Sequence, residues 1–202
     1  MNEPYHSPRL TLFFAPGASS MAPHIALHEI GVPFIPRPLS FTRTETRSPE
    51  FLAINPEGKV PTLLIDGRAL TEVAAILFYL ARCHPQANLL PASPEAEAHA
   101  LSWMSFLAST VHPARRQGPE HADRIWAIAE QRLARASGPW ALGAYSIADI
   151  HLFRLYWRFA AARGPAPARF PALQAHHDRM LARPAVQRTI AIEAEIGYQL
   201  PA

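Results

Sequence analysis

The chain has 202 residues, 49% of them apolar and 17% charged, which allows one large domain or two small ones and excludes a fold without a substantial core. No apolar run approaches the roughly 20 residues of a membrane span. A net charge of +3, carried by scattered arginines and a single lysine, Lys59, argues against nucleic-acid binding and for a modest attraction of small anions.

The one cysteine, Cys83, excludes an intrachain disulfide framework and a cysteine-based zinc site. It reads as a small, semi-buried apolar residue. None of the ten histidines falls in a metal-ligand spacing, so no metal is expected. His176-His177 is an adjacent pair whose rings point in different directions on a helix. A soluble, cytoplasmic protein is the default expectation.

In chain order, residues 1–8 are polar and proline-bearing, without a signal-peptide core, and read as a flexible arm. Residues 9–14 read as a strand. Ala15 to Ser20 form a turn, and 21–30 a helix with Pro23 in its first turn and Gly31 as its stop. Residues 32–39 are a second strand, placed at a sheet edge by Pro33, Pro36 and Pro38. A weakly helical segment follows. Asn55-Pro56 and Gly58 then make a turn, Val60-Pro61 opens a short strand, and Asp66-Gly67 turns it into a hairpin. A helix begins at Thr71 or Glu72, with Ile76, Leu77 and Leu80 on one face. Residues 84–93 read as a linker.

After the linker every element is helical. The stretch 94–111 carries Leu101, Met104, Leu107, Ala108 and Val111 at helical spacing, and His112-Pro113 ends or kinks it. Residues 119–136 are amphipathic, with Ile125, Ile128, Ala129 and Leu133. Ser146-Ile-Ala-Asp149 is a capping-box start with Tyr145 and Ile150 placed as a staple. Residues 150–159 are apolar nearly all round and predict a buried central helix. Two further helices open at Phe170-Pro171 and Arg183-Pro184. The expected organisation is an α/β domain over 9–83, the linker 84–93, and an all-helical domain over 94–202.

The chemistry concentrates in two places. A proline at the mouth of a strand leaves the Val60 main chain free to pair with an extended peptide as an added strand, and Glu72 at a helix start can accept from an ammonium group. Ser19 and Ser20 lie in the first strand-to-helix turn. There a hydroxyl and a helix N-terminus together can stabilise an anion. Ser20 reads as the helix cap and Ser19 as the catalytic hydroxyl, with Ser20 as the substitute.

The ordered set Asn55-Pro56, Gly58, Val60-Pro61, Leu63 and Leu70-Thr71-Glu72, followed by an apolar helix, resembles the glutathione-binding half of cytosolic glutathione transferases. The Ser146–Asp149 start and the phrases at Phe170-Pro171 and Arg183-Pro184 recur in that family. Pro16-Gly17-Ala18-Ser19-Ser20 with His24, Glu29 and Gly31 is similar to the bacterial beta class, whose cysteine falls on Ser19. A class tyrosine falls on Phe14, an asparagine on Ser105, and the lysine after the retained histidine on Pro113. The resemblance implies a thioredoxin-like N-terminal domain followed by the all-helical transferase C-terminal domain.

It further implies glutathione as co-substrate, its thiolate added to small apolar electrophiles as in detoxification, and a homodimer. Lys59, Val60, Pro61, Glu72, Val73 and His112 would bind glutathione. Phe14, Ser109 and His112 would line the electrophile side, with Trp103, Phe106 and Tyr156 as further candidates. The lost polar groups keep two alternatives open: a catalytically weak binding or interaction protein, and a glutathione-dependent isomerase, since the zeta class shares the Ser-Ser start.

Overall fold

A computed structural model describes residues 8–163 and 169–199, the Arg163 side chain excepted. The expected arm over 1–8 lies, but for Pro8, outside the described residues. The first half runs β1 (Leu10–Phe14), α1 (Met21–Ile30), β2 (Phe34–Pro38), α2 (Pro49–Ile54), β3 (Thr62–Ile65), β4 (Arg68–Thr71) and α3 (Val73–Cys83). The strands form one mixed sheet in the order β2-β1-β3-β4. β1 pairs with β2 in parallel, while β3 is antiparallel to both β1 and β4. This is the thioredoxin-like domain. β2 is the edge its prolines require, because Pro36 and Pro38 have no N–H to donate to a second neighbour.

In β1 the burial alternates, with Leu10, Leu12 and Phe14 inside, as the two-residue period of a strand dictates. α1 is buried from Met21 to Leu27 because it is packed on several sides, against α3 within its own domain and against helices of the second domain. Gly31 closes it at φ 75°.

The second half holds α4 (Pro94–Phe106), a π-helical turn (Leu107–Val111), α5 (His112–Ala114), α6 (Pro119–Ala134), α7 (Ile147–Arg163), α8 (Pro171–Leu181) and α9 (Pro184–Ile196). α7 is the central helix; its first turn and most of its length are buried. The capping box forms as its sequence predicts. The Ser146 hydroxyl accepts from Ala148 N–H, and the Asp149 carboxylate accepts from Ser146 N–H at 2.9 Å. The same carboxylate also binds Ala141 N–H and the buried His176 ring.

Two buried faces differ from the sequence expectation. Along α4 and the π-helical turn that continues it, the core stripe is Ala100, Trp103, Met104, Leu107 and Val111, so Leu101, one position off that stripe, is 54% exposed and Ala108 is exposed as well. In α6 the large Trp126 takes the inward position and turns Ile128 outward. The linker is docked rather than loose: Leu89 is buried, and its carbonyl accepts from Ile147 N–H.

One apolar core crosses the domain boundary, joining Leu12, Ile25 and Leu77 of the first half to Met104, Ile150, Phe153 and Val186 of the second. A separate cluster around Trp126, Leu152 and Tyr156 fills the helical domain. The halves are also tied by polar groups. Arg183, the N-cap residue of α9, grips Glu29 of α1 with two hydrogen bonds, and Tyr145 donates to the same carboxylate.

Candidate active site

The turn between β1 and α1 is built by its serines and by the second domain. Ser20 is fully buried. Its hydroxyl accepts from Ala15 N–H at 3.1 Å and donates to Ala15 carbonyl, closing the turn. It occupies the N-cap position of α1 without a side-chain cap bond. The one proton of the Ser20 hydroxyl is thus spent within the turn. Ser19, one residue earlier, is half-buried and donates to the Val60 carbonyl at 3.1 Å. That single bond joins the first turn to the strand mouth, 41 residues away.

The Val60 side is shaped by Asn55, which is buried. Its amide donates to Lys59 carbonyl and Thr62 hydroxyl, and its carbonyl groups accept from Glu57 and Gly58 N–H. Gly58 sits at φ 60°, and a Cβ there would lie 2.6 Å from the Thr46 carbonyl, so the loop demands glycine. The Val60–Pro61 peptide is cis. Glu72 has φ 69° and ψ 125°, a region that costs a non-glycine residue about 1–3 kcal/mol. It places an exposed carboxylate at the N-terminus of α3, beside the first N–H groups of that helix, which have no intrahelical partner.

Ser19, Val60, Pro61, Glu72 and Val73 line one cleft of about 250 Å³, with Lys59 at its rim paired to Glu57. His112 reaches the same cleft from the helical domain. Pro113 cannot donate to the preceding turn, and the helix passes through a π-helical turn just before it, with His112 N–H bonded to Leu107 carbonyl. Two of the expected residues are elsewhere. Phe14 is a fully buried core residue stacked on His24 at 4.7 Å and lines neither cavity. Ser109 is exposed on the π turn, its hydroxyl turned back onto Ser105 carbonyl. Tyr156 and Trp103 are likewise core, and Phe106 packs on Trp103. Cys83 is a half-buried free thiol at the end of α3, outside the cleft.

His112 also belongs to a second, larger cavity of about 450 Å³, floored by Trp126, Leu155 and Phe159. Arg116 is shared by both cavities. Burial, followed by the charges of Arg154, Arg115 and Arg116, lowers the His112 pKa to about 4. His151, fully enclosed at the inner wall of the first cleft, is lowered to about 3 by burial, His112 and Arg154. Both rings are neutral at pH 7.

Four residues of this site were missed from the sequence. Arg154 of α7 donates from Nε to Ala18 carbonyl at 2.9 Å and from Nη2 to Gly17 carbonyl at 2.8 Å. Glu193 of α9 accepts from Gly17 N–H at 2.6 Å and pairs with the buried His24 ring at 2.8 Å. Together they clamp the Ser19 turn from the other domain. His151 and Arg116 are the others. Among the described residues no cluster of histidine, cysteine or carboxylates is arranged to hold a metal ion, and no helix is long and apolar enough to cross a membrane.

Residues 8–82 match the family described as Glutathione S-transferase, N-terminal domain, and residues 107–191 match Glutathione S-transferase, C-terminal domain. The chain belongs to the glutathione S-transferase family. It is 33% identical over 201 residues to Glutathione S-transferase GstA of Escherichia coli O157:H7, covering 91% of this chain and 98% of that one. It is similar to a solved sphingomonad glutathione S-transferase complexed with glutathione, at 36% identity and a TM-score of 0.81, over 91% of this chain and 98% of the other. A maleylacetoacetate isomerase of Pseudomonas aeruginosa is 31% identical over 125 residues, 60% of this chain and 59% of that protein. Within the glutathione S-transferase fold, the smaller cleft lies at the meeting of strand mouth, first turn and helical domain, and the larger one lies wholly among the helices.

Proposed function

We propose that this chain binds glutathione in the smaller cleft and conjugates its thiolate to small apolar electrophiles entering from the larger cavity. The observation that carries the reading is the convergence of Ser19, Val60, Glu72, Val73 and His112 on one cleft that shares His112 and Arg116 with an apolar chamber. In this reading the extended tripeptide lies along the strand mouth. Its cysteinyl N–H donates to Val60 carbonyl, the acceptor that Ser19 otherwise occupies. The Ser19 hydroxyl is thereby released to donate to the sulfur. The γ-glutamyl ammonium meets Glu72, and its carboxylate meets the Val73 N–H at the α3 N-terminus. Lys59 and Pro61 flank the peptide.

The magnitudes are adequate. A hydrogen bond to a charged group contributes about 1.5–3 kcal/mol, and a nearby helix N-terminus about 0.3–1 kcal/mol. Their sum corresponds to roughly 1.3–3 pKa units at 1.36 kcal/mol per unit, which brings a thiol from about 8.5 to roughly 6–7. Neutral His112 adds no cation; the arginines around it add positive potential. The thiol proton leaves to solvent, sulfur forms a bond to the electrophilic carbon, and the leaving group departs with its electron pair. Serine at position 19 forms no mixed disulfide, so disulfide exchange through this residue is absent from the scheme.

Conjugation of glutathione to 1-chloro-2,4-dinitrobenzene tests this. Wild-type protein is expected to turn over, with kcat/KM falling about 10–100-fold in Ser19→Ala, the equivalent of roughly 1.4–2.7 kcal/mol of transition-state stabilisation. Absence of turnover in wild-type protein supports the alternative of a binding module. A second reading, glutathione-dependent cis–trans isomerisation, draws on the similarity to the Pseudomonas isomerase; it predicts that glutathione is regenerated in each turnover rather than consumed.

A further inference from the structure

The larger chamber gathers charge of one sign on an apolar floor. Arg115, Arg116, Arg154 and Arg158 line it, and among its described lining residues there is no carboxylate. Trp126 and Phe159 supply flat apolar surface. In a chain whose arginines are otherwise scattered, four converge on a single cavity. After burial, Arg115 and Arg158 push Arg154 down to about 9 against the raising effect of Glu193, and Arg115 also depresses Arg158. Arg154 spends Nε and Nη2 on the Ser19 turn, so it contributes field rather than a docking fork. Arg115 and Arg116, side by side on the 3₁₀ turn at the end of α5, are exposed.

We propose that the chamber takes a planar, apolar electrophile bearing a carboxylate. The carboxylate meets the Arg115 and Arg116 guanidinium groups, whose geometry suits two-point pairing. The ring lies on Trp126 and Phe159, and the reacting carbon faces His112, where the two cavities meet. This deepens the transferase reading and rests on it for the direction of attack. For an aryl halide the step forms one carbon–sulfur bond at the halogen-bearing carbon and breaks the carbon–halogen bond. The halide leaves with its electron pair, the thiol proton having already passed to water.

The test is a calorimetric titration of the full chain, at low ionic strength, with 3,5-dinitrobenzoate and with its methyl ester, which replaces the charged oxygen by a methoxy group. The expected result is at least tenfold tighter binding of the acid, lost in the Arg115→Gln/Arg116→Gln double variant and only partly restored by Lys at both positions, which returns the charge without the two-point geometry. Equal or tighter binding of the ester, no detectable binding of the acid, or an unchanged preference in the double variant overturns the proposal. Conjugation of 4-chloro-3,5-dinitrobenzoate separates the two readings. An intact acid preference without conjugation defeats the transferase reading while supporting the anionic chamber. Conjugation of the ester in preference to the acid, with glutathione consumed, defeats the chamber proposal alone.

Discussion

Ser19 and Glu72 carry the site in opposite ways. Ser19 is cheap for the fold: half-buried, with one hydroxyl bond to a carbonyl, its loss costs about 0.5–1.5 kcal/mol of stability. A large loss of turnover in Ser19→Ala would therefore report chemistry rather than unfolding. Glu72 is expensive for the fold. Its backbone, at φ 69° and ψ 125°, is one that glycine, without a Cβ, reaches at lower cost than glutamate, and its carboxylate has no cap bond to compensate. Glu72→Gly is accordingly expected to leave the melting temperature unchanged or raised. The KM for glutathione is expected to rise about tenfold, the loss of one charge-assisted bond. A drop in melting temperature in step with the rise in KM would assign the strain to something other than function.

At the scale of elements, the β1–α1 turn is not self-supporting. α7 holds it through Arg154 and α9 through Glu193. Glu193 is fully buried and serves both Gly17 N–H and His24. Truncating it leaves a buried donor and a buried ring without their partner, a loss of about 3–5 kcal/mol. Urea unfolding of Glu193→Ala is expected to show that loss, and turnover should fall further than stability alone explains, because the Ser19 turn loses its anchor. These clamps also mark the limit of what the sequence disclosed. The cleft residues from Asn55 to Val73 were legible because turn chemistry, the proline at the strand mouth and the helix start are local signals. The mixed sheet, its proline-bearing edge and the capping box at Ser146 were legible for the same reason. Arg154 and Glu193 contact the turn across 136 to 176 residues, and no periodicity distinguishes a charge on a central helix that reaches another domain from one that reaches solvent. Phe14 and Ser109 lie away from both cavities for a related reason. Family correspondence gives a position along β1 or α4, but the alternation of the strand and the π turn decide which way the side chain faces.

For the whole molecule, the buried neutral histidines set the acid limb of stability. His112 and His28 are lowered to about 4, and His151 to about 3, burial being the first cause in each. Above the unfolded value of 6.5 both states are neutral there, and stability is independent of these rings. As pH falls below 6.5 the unfolded chain takes up protons that the folded chain refuses. Stability then drops by an amount on the order of several kcal/mol until the folded rings titrate near pH 4 to 3. Urea midpoints measured from pH 7.5 down to 4 are expected to fall through that window, with a shallower slope in His112→Gln. A midpoint flat across the window would contradict the burial of neutral rings. Leu101 is a large apolar side chain left 54% exposed on α4, and we propose that it lies in the contact of the homodimer that the family resemblance implies. Light scattering is expected to give a dimer mass for wild-type protein and a shift toward monomer for Leu101→Glu.

In the proposed function the β1–α1 turn stabilises a glutathione thiolate through Ser19. The pKa of the thiol of glutathione bound to the protein, read from thiolate ultraviolet absorbance, addresses it without any electrophile. A bound thiol titrating at roughly 6–7, rising by about one unit or more in Ser19→Ala, is the predicted result. A thiol that titrates at its free value of about 8.5 when bound, or one whose titration is the same in Ser19→Ala, would contradict it.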